Sequence, residues 1–116
     1  MLDEHAGSRR MMSFTIATRG HICVPVESAA EAHRALADFD ADAIVYDWNQ
    51  RSGALLGFGR DAKARHSSVR GVIVTSSLDE PADFRLNEAI DDYFTKPVAM
   101  REIVDRLELI VRSRRG

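Results

Sequence analysis

Three acidic residues and one lysine are the side chains of this sequence best suited to chemistry. Asp47 ends the apolar run 43–46, Asp3 and Glu4 lie close to the amino terminus, and Lys96 follows a third β-rich run. An aspartate at the end of a buried strand can accept a phosphoryl group, bind a metal, act as a base, or only cap the next helix. The strand alone leaves all four roles open.

The apolar pattern predicts strands and helices in alternation along the chain. Predicted strands cover residues 21–26, 43–47, 71–75 and 91–95. Predicted helices cover about residues 8–19, a segment opened by the Ser28–Glu31 capping box, an irregular segment around Gly57 and Gly59, a segment starting at 79–81, and residues 99–112. Strands joined by helices indicate an α/β fold with a parallel sheet covered on both faces.

The predicted topology brings these polar side chains to one edge of the sheet. The carboxyl ends of parallel strands place Asp47, Ser76 and Lys96 along that edge, and the Asp3-Glu4 pair belongs beside them. Crowded carboxylates repel one another, and Mg2+ relieves that repulsion through one or two carboxylates plus water. A phosphoryl group added there needs a metal cation, a lysine and a hydroxyl, and the sequence supplies the lysine and the hydroxyl at this edge.

The same motifs carry a resemblance to a known family. Asp3-Glu4, Asp47-Trp48-Asn49, the run 72–76 and the sequence DDYFTKP at 91–97 resemble the receiver domain of two-component response regulators. The resemblance extends over essentially all of residues 1–116, which we expect to form one domain. It implies a flavodoxin-like, doubly wound parallel sheet of order 2-1-3-4-5.

That resemblance also implies a function. Asp47 would accept a phosphoryl group from a sensor histidine kinase or a phosphotransfer protein, which makes the chain a phosphorelay switch and not an enzyme. Mg2+ would be the cofactor, held by Glu4, by Asp47 and by the main-chain carbonyl of Asn49, with Asp3 binding it through water. A downstream protein target would respond to the phosphorylated state.

Three further roles follow from the resemblance. Lys96 would pair with the phosphate, Ser76 would move inward to bond a phosphoryl oxygen, and Tyr93 would follow as an aromatic switch. Each has a simpler alternative: Lys-Pro is common in turns, a serine can satisfy backbone groups at a strand end, and Tyr93 can be a half-buried edge aromatic. We expect Trp48 to be exposed beside the site.

The start of the chain departs most from the family pattern. Only Met1 and Leu2 precede Asp3, where the family has a full central strand. About five buried apolar side chains are missing, at about 1.5 to 3 kcal/mol each. Three outcomes are open: the 21–26 strand closes against the 43–47 strand, which we favour; a homodimer partner supplies cover; or the natural start lies upstream. Ala89 also replaces a glycine that normally caps the fourth helix, which predicts a short or irregular helix.

Composition excludes several classes of function. Sixteen basic and eighteen acidic residues give a formal charge of -2, so the net charge of the chain does not attract nucleic acid. A single cysteine, Cys23, excludes an internal disulfide, and the sequence has no apolar run long enough to span a membrane. We therefore expect a cytoplasmic protein. Two alternative functions stay open. One is a pseudo-receiver that acts as an interaction module without phosphate. The other is a Mg2+-dependent phosphohydrolase, which is disfavoured because no second general acid follows Asp47 at short spacing.

Overall fold

The computed structural model describes residues 1–48 and 55–113. The helices are α1 (Ala6–Thr18), α2 (Ala29–Asp38), α3 (Phe58–Arg65), α4 (Phe84–Glu88) and α5 (Met100–Ser113), and the strands are β1 (Ala43–Asp47), β2 (Gly71–Ser76) and β3 (Asp92–Thr95). Strands and helices alternate from α2 onward, as the sequence pattern predicts.

The three strands form one parallel sheet in the order β1-β2-β3. Asp47 of β1 lies opposite Thr75 of β2, and Ser76 of β2 lies opposite Thr95 of β3. Because all three strands run the same way, their carboxyl ends meet at one edge. This α/β architecture confirms the predicted class.

Leu2 occupies the position of the expected central strand. It forms isolated parallel bridges with Val26 on one side and with Tyr46 on the other. The favoured outcome, in which the 21–26 segment closes against β1, is therefore wrong, because Leu2 keeps the two apart. The predicted strand at 21–26 is also wrong, since only Val26 pairs with another segment within the described residues. Because Leu2 is a single paired residue, the 21–26 segment forms one isolated bridge with it and no strand.

Apolar clusters cover both faces of the sheet. One contains Leu2, Tyr46 and Val74 and packs beneath α2, α3 and α4; the other contains Val45 and Ile73 and packs beneath α1 and α5. Alternate residues of a strand point to opposite faces, so a fully buried strand is apolar throughout. This explains why 43–46 and 71–75 are continuous apolar runs.

The capping box that opens α2 is present. Ser28 Oγ accepts a hydrogen bond from Glu31 N at 3.2 Å, and Glu31 Oε2 accepts one from Glu27 N at 3.1 Å. These bonds satisfy amide groups that a helix start leaves unpaired.

The fourth helix is short, as predicted, with five residues. Its end differs from the expectation, because Ala89 itself adopts the left-handed conformation with φ of 56°. The amides of Ala89 and Ile90 both donate to the carbonyl of Arg85, which satisfies this helix end. The helix therefore has its cap without glycine, at a cost of about 1 to 2 kcal/mol.

Gly59 lies in α3 where that helix packs against α4. A Cβ atom at this position would lie 2.4 Å from the carbonyl oxygen of Glu88. The Glu88 carboxylate is buried and accepts hydrogen bonds from Gly57 N at 2.7 Å and from the Tyr46 hydroxyl at 3.4 Å. Only glycine lets the two helices approach this closely.

None of the helices in the described residues has the length and apolar character needed to cross a membrane.

Candidate functional site

Asp47 sits at the carboxyl end of β1, as the sequence predicts. Its amide donates to the Leu2 carbonyl at 3.0 Å, and the next amide, Trp48 N, donates to the Thr75 carbonyl at 2.8 Å. Backbone bonds on both sides therefore fix the strand end that carries the carboxylate. The Asp47 side chain is 9 % exposed.

Two donors reach the Asp47 carboxylate. Lys96 Nζ lies 2.8 Å from Oδ1, and the Thr75 hydroxyl donates to the same oxygen at 3.0 Å. Lys96 follows β3 and is held there by its own amide, which donates to the Ser76 carbonyl at 2.6 Å, and its peptide bond to Pro97 is cis. The structure thus joins the ends of three strands through one carboxylate.

Asp3 is buried next to this group, with 2 % of its surface exposed. Its Oδ1 accepts a hydrogen bond from His5 N at 2.9 Å, and its amide donates to the Val26 carbonyl at 3.1 Å. Burial raises the pKa of Asp3, and the charge of Asp47 raises it further, while the hydrogen bond from His5 and the charge of Lys96 oppose the rise. Asp3 and Asp47 therefore repel each other electrostatically.

The other predicted metal ligands do not complete a cluster. The Glu4 side chain is 54 % exposed, with Oε1 lying 3.8 Å from His5 Nε2, and Asn49 lies outside the described residues. Across residues 1–48 and 55–113, no three His, Cys, Asp or Glu side chains are grouped so that they could hold a metal. The Asp3–Asp47 pair still fits Mg2+, which commonly takes one or two carboxylates and completes its shell with water.

Thr75 is a site residue that the sequence analysis missed in favour of its neighbour Ser76. The Ser76 side chain is fully buried, and its Oγ accepts a hydrogen bond from Leu78 N at 3.1 Å. The register puts Thr75 opposite Asp47, so the hydroxyl on the carboxylate belongs to Thr75. Two adjacent hydroxyl residues at the strand end were the available signal, and only the register separates them.

Tyr93 is buried and connected to the same strand end. Its hydroxyl donates to the Leu78 carbonyl at 2.9 Å, and its ring packs edge-on against Phe84 at 5.6 Å. Burial raises the pKa of Tyr93, and a hydrogen bond with Ser76 partly opposes this rise. The Leu78 backbone thus contacts Ser76 through its amide and Tyr93 through its carbonyl.

Trp48 is buried, contrary to the expectation that it lies exposed beside the site. Only 5 % of its surface is accessible, and its ring packs on Phe84 at 4.5 Å. Phe84 therefore contacts both Trp48 and Tyr93 and covers this side of the site.

Comparison with known proteins gives related sequences and related folds. No protein-family model matches the chain. The phosphate regulon transcriptional regulatory protein PhoB of Pseudomonas aeruginosa is 28 % identical over 115 residues, which cover 97 % of this chain and 50 % of that protein. The chain therefore spans about half the length of this relative.

Two solved structures have folds similar to that of this chain. A CheY-like response regulator receiver domain protein from Methanospirillum hungatei JF-1 superposes with a TM-score of 0.86 at 14 % identity, covering 99 % of this chain and 94 % of that one. An atypical orphan response regulator, whose structure is described as revealing a phosphorylation-independent regulatory mechanism, gives 0.77 at 19 % identity, with coverage of 96 % and 92 %. The flavodoxin-like class predicted from the sequence is thereby confirmed.

Proposed function

From the premise that this chain is a receiver domain of the response-regulator type, we propose that Asp47 accepts a phosphoryl group and that the chain is a signalling switch. The observation that carries this proposal is the contact of the Asp47 carboxylate with Lys96 and Thr75 at the carboxyl edge of the sheet. A nucleophilic carboxylate with a lysine and a hydroxyl on the same oxygen has the groups that phosphoryl transfer requires.

The proposed step is an in-line displacement at phosphorus. An Asp47 carboxylate oxygen forms the new O–P bond while the P–N bond to the imidazole of a donor histidine breaks, and the bonding electrons leave with the imidazole, which takes up a proton from water. Lys96 Nζ pairs with the developing charge on the phosphoryl oxygens, and the Thr75 hydroxyl donates to one of them. Asp47 would hold Mg2+ directly and Asp3 through water, while Glu4 and the Asn49 carbonyl stay predicted ligands, and the exposed Glu4 side chain would have to turn inward to bind. When bound, the metal offsets the negative charge that builds up during transfer.

The signal leaves the site through β2 and β3. A phosphoryl group on Asp47 recruits a hydroxyl, with Thr75 nearest and Ser76 retained as the residue predicted to move inward. Movement of Ser76 breaks its bond with Leu78 N, and Leu78 in turn holds the Tyr93 hydroxyl. Tyr93 is therefore the side chain that we expect to change position, and the surface around α4 is where a downstream protein would respond.

A small acyl phosphate supplied with Mg2+ tests the proposal. Intact-mass spectrometry should find one added phosphoryl group of about 80 Da. Asp47→Asn should abolish the adduct. Asp42→Asn is the matched control, because Asp42 is an exposed aspartate just before the other end of the same strand, and it should phosphorylate as the wild type does. An adduct that persists in Asp47→Asn would disprove the assignment.

The partners and location follow from the same proposal. A sensor histidine kinase or a phosphotransfer protein would donate the phosphoryl group in the cytoplasm, and residues 1–116 would act as one receiver unit. No direct contact with nucleic acid or membrane is proposed for this unit, because its formal charge is -2. A homodimer would provide one way to cover the apolar surface left beside Leu2.

A second candidate is an interaction module that works without phosphate. Two observations favour it: Lys96 already neutralises Asp47, and the Glu4 side chain is largely exposed instead of lying against the other carboxylates. One structural neighbour is itself described as phosphorylation-independent. In the experiment above, the absence of any adduct on the wild-type chain, with or without Mg2+, would favour this candidate.

A further inference from the structure

The short helix α4 reaches the protein core through two side chains. Phe84 and Glu88 are 5 % and 2 % exposed, whereas the residues between them lie on the surface. Residues four apart lie on the same face of a helix, so the two buried side chains point toward the core at opposite ends of α4. One end of the helix is therefore held by an aromatic ring and the other by a carboxylate.

The aromatic end of α4 lies next to the candidate site. Phe84 packs on Trp48 at a ring distance of 4.5 Å and edge-on against Tyr93 at 5.6 Å. Trp48 directly follows Asp47 in the chain. Burial of apolar surface is non-directional, so a ring can shift over its neighbours without leaving a polar group unpaired. The start of α4 is therefore able to follow a rearrangement at the carboxyl edge of the sheet.

The charged end of α4 is held by directional bonds. Glu88 Oε1 accepts a hydrogen bond from Gly57 N at 2.7 Å, and Glu88 Oε2 accepts one from the Tyr46 hydroxyl at 3.4 Å. Hydrogen bonds to a charged acceptor are stronger than those between neutral groups. Moving the carboxylate away from these donors would leave a buried charge without them, which is costly. The end of α4 therefore keeps its position.

Both donors to Glu88 belong to rigid parts of the core. Gly57 precedes α3 with φ of 79°, and its carbonyl accepts a hydrogen bond from Asp61 N at 3.0 Å. Tyr46 is fully buried on β1, with its ring edge-on to Phe58 at 5.1 Å. Burial raises the pKa of Tyr46, and the charge of Glu88 raises it further, so the hydroxyl keeps its proton and stays a donor.

The backbone after α4 is fixed as well. The Glu88 carbonyl oxygen lies so close to Gly59 that no Cβ fits between them, and the amides of Ala89 and Ile90 both donate to the Arg85 carbonyl. Side-chain and main-chain contacts thus hold residues 88–90 together. We call this set of contacts the Glu88 anchor, formed by Glu88, Tyr46, Gly57 and Gly59.

We propose that the Glu88 anchor is a fixed pivot for α4, so that a phosphoryl group on Asp47 displaces the start of the helix at Phe84 while its end at Glu88 stays in place. This inference rests on the proposed function, because phosphorylation of Asp47 drives the movement. Leu86 is 87 % exposed on the outer face of α4 and moves with the start of the helix. Glu88 is a positioning residue, which determines how α4 presents that face to a downstream protein.

Hydrogen exchange of the unphosphorylated 116-residue chain tests the anchor by itself. Glu88→Gln keeps the shape of the side chain and removes its charge. The amides of Gly57, Ala89 and Ile90 should therefore exchange about tenfold faster than in the wild type. Equal exchange in the variant and the wild type would overturn the anchor.

Glu31→Gln is the matched control for this measurement. Glu31 Oε2 also accepts a hydrogen bond from a main-chain amide, Glu27 N at 3.1 Å, but it does so at the start of α2. Exchange at Ala89 and Ile90 should stay at the wild-type rate in this control. Faster exchange there in both variants would mean that loss of any such carboxylate loosens the fold, and would also overturn the anchor.

Amide resonances of the phosphorylated chain test the pivot. After reaction of the wild type with an acyl phosphate and Mg2+, the shift changes at Leu78 and Phe84 should be about threefold larger than those at Ala89 and Ile90. In Glu88→Gln carrying the same adduct, the changes at the two ends of α4 should become similar. Similar changes at both ends in the wild type would overturn the pivot.

The two measurements separate failure of the pivot from failure of the proposed function. Intact mass shows whether the adduct forms, and its absence on the wild type would overturn both the proposed function and the movement of α4. Unchanged exchange in Glu88→Gln would overturn the anchor alone. If Glu88→Gln fails to fold, Tyr46→Phe takes its place, since it removes the hydroxyl and keeps the ring. Its effect on exchange should be about threefold, because the bond that it removes is the longer one.

Discussion

The two ends of β1 differ sharply in how completely they are built. At the carboxyl end, Asp47 has Leu2 on one side and Thr75 on the other, with Lys96 on its side chain. At the amino end, Ala43 pairs with β2 alone among the described residues and faces a groove on its other side. One five-residue strand thus has neighbours on both sides at its carboxyl end and, within the same residues, on one side at its amino end.

This difference separates the residues that form the candidate site from those that bury apolar surface of the sheet. Leu2 and Asp3 supply the main-chain bonds at Val26 and Asp47 and one buried carboxylate. Additional apolar burial along the first half of β1 would stabilise the fold without adding a site residue. A variant at one end of β1 therefore tests whether the other end responds.

The largest expected effect follows from Leu2→Ala. Leu2 is 2 % exposed and packs in the apolar cluster beneath α2 and α3, so its truncation should lower the free energy of unfolding by about 3 kcal/mol. Urea denaturation measures the loss. Leu86→Ala is the control, since Leu86 is 87 % exposed and should change stability by less than about 0.5 kcal/mol.

Phosphorylation of folded Leu2→Ala should keep nearly the wild-type rate, because the main-chain bonds of residue 2 remain. If the rate fell in proportion to stability, the two ends would not be separable.

Lys96→Met should slow adduct formation about 100-fold, equivalent to about 2.7 kcal/mol of transition-state stabilisation. The variant removes the ammonium that lies 2.8 Å from Asp47, and initial rates with the acyl phosphate measure the effect. Lys63→Met is the control, because Lys63 pairs with Asp91 at 3.0 Å next to the amino end of β3. That variant should leave the rate unchanged. Equal slowing in both would mean that general charge, and not the position of Lys96, assists the reaction.

Thr75→Val should slow adduct formation about tenfold, because it removes the hydroxyl that reaches Asp47 while keeping the shape of the side chain. Ser76→Ala provides the comparison. If Ser76 is the hydroxyl that moves inward, its variant should form the adduct at the normal rate but lose the change in Tyr93 fluorescence or NMR shift. A slower rate in Ser76→Ala than in Thr75→Val would return the direct contact to Ser76.

The sequence was sufficient for features set by local pattern and insufficient for those set by register or distant packing. The apolar run before Asp47 predicted the position of that carboxylate, because a buried parallel strand needs apolar side chains on both faces. Lys96 was predicted from the sequence DDYFTKP, which resembles the receiver family. Thr75 and Ser76 could not be told apart, since a shift of one residue exchanges the directions of their side chains. Trp48 is buried by Phe84, 36 residues later in the chain, a contact that no local pattern encodes.

The smallest expected effect concerns pH and lies away from both ends. His33 packs on Phe58 at 5.2 Å and near His66 at 6.1 Å. Burial lowers its pKa below the ordinary 6.5, Arg65 and His66 lower it further, and Asp61 opposes them. The unfolded chain therefore binds a proton more readily than the folded chain, so His33 reduces stability as the pH falls through about 6.5.

Urea midpoints at pH 7.5 and 5.5 measure this loss. It should stay below about 1 kcal/mol, because His33 is only partly buried. His33→Gln should show a smaller drop than the wild type. A drop of the same size in both would assign the pH dependence to groups other than His33; Asp3 is not among them, because its raised pKa makes the folded chain bind a proton more readily and so favours folding as the pH falls.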